Sequence, residues 1–235
     1  MSDGIYVGMC GAVARAEQLE AVADNLANAQ TPGFKSARPA FEAFLPASGA
    51  PDKAYPAAVS TGFDLRAGPP SRTGNALDVL PEGNAFLAVK TSTGSVAYTR
   101  DGRMSIDSDH RLVIQGRPVL GRDGQPIVLP SETTAEIDPD GSVRAGGSVV
   151  GEIARVQIDG QVNRIGPALL EPTASTKVSP SEAKLRVGEL ELGNAPPLES
   201  AIDMISAQRH FETSMQAIQT YRQLDQRATD VGRLR

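Results

Sequence analysis

The side chains that most often carry chemistry near neutral pH are sparse in this sequence. His110 and His210 are the only histidines and lie far apart, and no HExxH motif occurs. A zinc site therefore has no ligand set. Cys10 is the only cysteine, which excludes an internal disulfide and any multi-cysteine metal site. With no histidine near it in sequence, Cys10 reads as a packing residue. Glu136-Ile137-Asp138-Pro139-Asp140-Gly141 has some likeness to a calcium loop, but it begins with Glu, and the position six residues after the glycine is Gly147. A tight turn explains it better. GxSxG, P-loop and GxGxxG patterns are absent, so nucleophile-elbow, phosphate-cradle and dinucleotide readings lack support. Acidic residues in a β domain keep a hydrolytic or carbohydrate-binding site as the alternative, although Trp is absent and Tyr scarce. The expectation is a protein with no catalytic residues, no cofactor and no metal.

Charge and hydropathy narrow the partners. A net charge of -5 and a pI near 5.2 argue against a nucleic-acid surface, which needs clustered Lys and Arg. No segment approaches 18 uninterrupted apolar residues, so direct membrane insertion is not expected. The first twenty residues lack a basic region followed by an apolar run, and the expectation is export, if any, without a cleaved signal peptide.

What the sequence does offer is helix. From Leu198 to Gly232 it has no proline, and its apolar residues recur mostly at spacings of three and four. That is the pattern of one long amphipathic helix, roughly 50 Å in length. Ile5, Met9, Ala12, Ala16, Leu19, Ala23 and Leu26 alternate strictly by four and three, the seam pattern of a coiled coil. Gly4, Gly8 and Gly11 fall on neighbouring turns of this first helix, where they either mark a frayed start or let another backbone approach closely. Arg209, Arg222, Arg227 and Arg233 among Glu212, Asp225 and Asp230 make either a solvated face or a polar contact between subunits.

Between the helices the pattern changes twice. Ala29-Gln30-Thr31-Pro32-Gly33-Phe34 predicts a sharp turn, and the Ala-, Pro- and Gly-rich stretch to about residue 73 predicts an extended connector with little regular structure. Short apolar runs such as Ala85–Val89, Arg111–Ile114, Pro126–Leu129 and Val149–Ile158, separated by the hairpin or bulge turns expected at Asp101-Gly102, Asp123-Gly124, Asp140-Gly141 and Asp159-Gly160, then predict an all-β domain. The expected fold class is α+β: long N- and C-terminal helices pairing as a coiled coil, a central all-β domain and an extended connector. The expected division is 1–30 for the first helix, 31–73 for the connector, 74–194 for the β domain and 195–235 for the second helix. Such helices leave apolar surface uncovered, which points to a subunit that assembles.

Several stretches resemble a known family. Asp24-Asn25-Leu26-Ala27-Asn28-Ala29-Gln30-Thr31-Pro32-Gly33-Phe34-Lys35, with Ile5-Tyr6 and Met9 to Ala12 before it, is similar to the N-terminal signature of the axial rod and hook proteins of the bacterial flagellum. Gly74 to Val79, Glu82 to Phe86, Ala97 to Gly102 and Gly116 to Gly121 resemble that family's middle β domain in order, and Met204 to Glu212 with Ala217 to Thr220 resembles its C-terminal helix. Ile114 to Pro118 and Asp230 to Arg233 look most like the proximal-rod branch, with the distal-rod branch next. Asp24, Cys10 and Asn84-Ala85 depart from the usual wording.

The resemblance implies a structural subunit of the basal-body rod that transmits torque and encloses the export channel. It implies as partners copies of itself, neighbouring rod proteins and the flagellar type III export apparatus, and as location the periplasmic rod. The seam residues that the helical spacing offers for assembly are Ile5, Met9, Leu19, Leu26, Ile202, Ile205, Phe211, Met215, Ile218, Tyr221 and Leu224. The family turn is Asn25, Asn28, Thr31, Pro32, Gly33 and Phe34.

Overall fold

A computed structural model describes residues 2–44, 55–130 and 134–233. It contains two helices, α1 (Ser2–Ala27) and α2 (Pro197–Arg233), and among the described residues everything else that is regular is short β-strand. The chain divides into two compact units. A helical unit gathers Met1–Ala27, Ala37–Gly62 and Pro196–Arg235, and a β unit gathers Asn28–Ser36 and Phe63–Ala195.

In the helical unit α1 and α2 touch, but the expected coiled coil is not formed. A coiled-coil seam buries its large apolar knobs, whereas Met9 is 50% exposed, Ile202 59% and Ile205 56%. Small residues are buried on the facing sides instead: Ala12, on the same side of α1 as Gly8, and Ala207, on the same side of α2 as Ile218. Gly8 lies where a Cβ would stand 3.0 Å from Ile218 Cγ1. At Gly8 it is the Ile218 side chain, not another backbone, that approaches closely, and nothing lies within 4 Å of a Cβ at Gly11. Reading only large apolar residues merged two faces of α2. Ala201, Met204, Ala207, Phe211, Ser214 and Ile218 are its less exposed positions, and Leu198, Ile202 and Ile205 lie on the far side at 100° per residue. The α+β class stands and the coiled coil does not.

Residues 31–73, expected to carry little regular structure, contain strands at Ala37–Phe44, Tyr55–Phe63 and Pro70–Arg72; the first two pair as a two-stranded sheet. Residues 45–54 of the expected connector lie outside the described residues.

The β unit is built around one antiparallel six-stranded sheet, in the order Val162–Gly166, Leu169–Pro172, Val96–Thr99, Ala85–Lys90, Arg155–Asp159, Lys177–Pro180. Two three-stranded and two two-stranded sheets surround it, so the body is irregular rather than a two-layer sandwich. Leu87, Val89, Leu112, Val119, Val143 and Ile153 are fully buried in its main core. The apolar run Val149–Ile158 does not form one strand: Ser148–Glu152 and Arg155–Asp159 belong to different sheets, and Ile153 bridges to Gly121 at the corner. Pro126–Leu129 forms only isolated bridges, at Pro126 and Val128.

The Asp-Gly pairs also divide. Asp140-Gly141 closes a hairpin, with Gly141 at φ 89° and its amide donating to Asp138. Asp101-Gly102 is a close approach instead, since a Cβ on Gly102 would fall 1.6 Å from the Val79 carbonyl oxygen.

Candidate functional site

The family turn is shared between the two units, and each part has its own task. Asn25, in the last turn of α1, acts within the helical unit. Its Nδ2 donates to the Ala37 carbonyl at 2.9 Å, and its Oδ1 accepts from the Ala37 amide at 2.8 Å. One side-chain amide thus satisfies both backbone groups at the start of the strand Ala37–Phe44, as a neighbouring strand would.

The remainder of the turn belongs to the β unit. The Thr31 amide and hydroxyl both donate to Asn28, and the Phe34 amide donates back to Thr31. Pro32, Gly33, Phe34 and Lys35 are buried. Gly33 has φ 70°, and a Cβ there would lie 2.0 Å from the Asp101 amide nitrogen, so only glycine fits.

Lys35 carries the buried chemistry of the turn. Its Nζ donates to Glu191 Oε1 at 2.6 Å and to the Arg66 carbonyl at 2.5 Å. Arg100 Nε donates to Glu191 Oε2 at 2.6 Å, and Gly68 donates its amide to Oε1 at 3.0 Å. Lys35, Arg100 and Glu191 are all within 1% of complete burial, giving two cations around one carboxylate. Loss of hydration on burial pulls the Lys35 ammonium below its ordinary range, and Glu191 opposes that shift.

Asn194 and Arg164 complete the arrangement. Asn194 Oδ1 accepts from the Ser36 amide at 2.7 Å, while its Nδ2 donates to the carbonyls of Asp64 and Arg66. The Arg164 guanidinium stands 4.6 Å from the ring centroids of both Phe34 and Phe63 and donates to the Lys35 carbonyl. The chain passes between the units after residues 27, 36, 62 and 195. Glu191, Asn194 and Arg164 hold backbone or side chains close to the last three of these passages, inside the β unit. We call this arrangement the clasp.

Sequence reading found Gly33 and Phe34 but not Arg100, Arg164, Glu191 or Asn194. Lys35 stood at the end of the family turn, yet its partner lies 156 residues away. No local pattern links them.

The other expected residues are spread over different surroundings. Met9, Ile202, Ile205, Met215, Tyr221 and Leu224 are exposed, Leu19, Leu26 and Phe211 are half-buried, and Ile218 is buried on Gly8. Ile5 lies in α1, and its side chain falls outside the described residues. Among the described residues no group of three or more His, Cys, Asp or Glu side chains could hold a metal ion.

Three family descriptions match the chain: "Flagella basal body rod protein" over residues 5–35, "Flagellar hook protein FlgE/F/G D1 domain" over 82–145 and "Flagellar basal body rod FlgEFG protein C-terminal" over 187–231. The chain is 34% identical over 236 residues to the flagellar basal-body rod protein FlgF of Escherichia coli, with 93% of each chain covered. It is 32% identical over 220 residues to FlgF of Mesorhizobium japonicum, covering 91% of each. Against the rod protein FlgG of Borreliella burgdorferi the identity is 29% over 257 residues, with 94% of this chain and 95% of the relative covered. With matches at both helices and the β body, and identity above 30% to two FlgF relatives over more than nine-tenths of their length, this chain belongs to the flagellar basal-body rod protein family as a FlgF-like member.

Proposed function

We propose that the chain works as a structural subunit of the proximal rod, assembling through its terminal helices into the shaft that transmits torque and encloses the export channel. The observation that carries this reading is the apolar surface α2 leaves open: Leu198 is 76% exposed, and Ile202 and Ile205 share its side of the helix. On α1 Met9 and Val13 are likewise exposed. An isolated soluble protein seldom leaves such rows uncovered, and a subunit that gains its partners on assembly does.

Its partners are then copies of itself and neighbouring rod proteins, met in the periplasmic rod after passage through the type III export apparatus. The expected seam residues take two roles in this scheme. Ile218 is committed to its own chain against Gly8, whereas Met9, Ile202, Ile205, Tyr221 and Leu224 meet neighbours. Regions 1–30 and 195–235 line the tube. The function is mechanical and needs no catalytic residue.

The test is Ile205→Asp in cells that lack the native protein. Swimming and rod completion should fail, while the purified variant keeps the circular dichroism and thermal midpoint of the parent. Normal rods in cells carrying Ile205→Asp would remove α2's open face from the assembly.

A further inference from the structure

We propose that residues 28–36 form a strap that opens from the folded β unit as one piece, with Glu191 as its latch. Three observations converge on it. The strap contributes no strand to any sheet, so its release breaks no ladder. Its apolar contacts form a cluster of their own: Ala29 and Phe34 pack with Ala195, separately from the main core around Leu87 and Leu112. The chain also leaves the β unit at both ends of the strap, after residues 27 and 36.

What holds the strap is polar: most of it comes from the C-terminal end of the β unit, while Lys35 is also bonded to Arg66 and Arg164, and the Asp64 amide donates to the Ser36 carbonyl. The Gly33 amide donates to the Glu191 carbonyl at 2.8 Å, and the Glu191 side chain takes the Lys35 ammonium. The Ser36 amide donates to Asn194 Oδ1, and the Asn194 amide donates to the Phe34 carbonyl. Because all of these bonds fall on the four consecutive strap residues Gly33 to Ser36, they are lost together rather than one at a time. A cooperative opening well below global unfolding is the behaviour of such a unit. The opening itself does not depend on how the protein is used. Its consequence does rest on the rod reading: a subunit under load along its chain would yield at the strap before its sheets.

Native-state hydrogen exchange on the full-length chain tests this. In the parent, the amides of Gly33, Ser36 and Asn194 should share one protection level, at least about a hundredfold below the buried amides of Leu112, Val119 and Ile127, which donate within the core. Glu191→Gln should speed exchange at those strap amides together by at least about tenfold. Asn194→Ala serves as the second variant, since it leaves the ion cluster intact, and should do the same to Ser36. Strap amides protected as strongly as Leu112 in the parent, or strap amides exchanging at unrelated levels, would overturn the proposal. Failure here leaves the assembly reading standing, because Ile205→Asp tests that through rods in cells; failure of that variant leaves the exchange result standing.

Discussion

The two units of the chain solve the burial problem differently. The β unit closes on a large apolar core of its own, with only scattered residues such as Val128 and Val149 left exposed, and even Lys35, Arg100 and Glu191 are drawn inside with their partners supplied. The helical unit buries alanines, Val22 and Ile218, yet leaves Leu198, Ile202, Ile205, Tyr221 and Leu224 at the surface. A β unit whose charged groups are paired in place has its stability written into one chain. A pair of helices that touch through small residues has part of its stability deferred to its neighbours. Substitutions in the first unit should therefore register in the isolated protein, and substitutions on the open faces of the second should register in the assembly.

The largest effect expected in the isolated protein is at the latch. Glu191→Gln removes the one anion and leaves two buried cations facing each other, a loss on the order of 3–5 kcal/mol. Lys35→Met removes one cation of the two and leaves Glu191 with Arg100 and the Gly68 amide, and the Arg66 carbonyl keeps the Asn194 amide, so its cost should be only about 1–2 kcal/mol. Urea unfolding followed by circular dichroism separates them. If Lys35→Met proves as damaging as Glu191→Gln, the cluster is not organised around the carboxylate.

Gly33→Ala comes next. The new methyl would need positive φ and would meet the backbone of Arg100 and Asp101, which cannot move aside as a side-chain tip could. More than about 2 kcal/mol should be lost from the β unit. Gly11→Ala, in the helical unit with open space around it, should be neutral or slightly stabilising through helix propensity. Equal thermal midpoints for the two variants would remove the contrast.

How much of this was legible in the sequence follows from the range of each signal. Both helices, the turn at Thr31-Pro32-Gly33 and the all-β middle are local patterns, and periodicity or turn chemistry displays them directly. The coiled coil was misread because alanines and a glycine form the contact, and a search for large apolar residues passes over them. Asp101-Gly102 was misread because a glycine required by a close approach looks, in sequence, like a glycine required by a turn. The clasp could not be seen at all. Lys35, Arg100, Arg164, Glu191 and Asn194 come from separate parts of the chain, and charged residues in an acidic sequence are ordinarily surface residues. Only the fold distinguishes these from the rest.

The smallest effect is one of pH, and it belongs to Asp101 beneath the family turn. Burial pushes its carboxyl above the usual carboxylate range, and nearby Asp78 pushes it further. The Gln115 side chain, the Arg103 amide and the Arg103 charge pull against that shift. Because the folded carboxyl holds its proton more tightly than the unfolded one, the folded state binds more protons between 3.8 and the raised value. Stability contributed by the protonated group is therefore full below 3.8 and is lost as pH rises through the folded pKa. Asp101→Asn removes the titration. Its oxygen can still accept from the Arg103 amide, and its nitrogen can face the Gln115 amide oxygen once that side chain turns over. The variant should be more stable than the parent at pH 7, on the order of 1 kcal/mol, and the difference should shrink toward zero as pH falls to the ordinary carboxylate range. Urea midpoints across that range measure it, and a difference that does not change with pH would mean that the Asp101 carboxyl titrates alike in the folded and unfolded states.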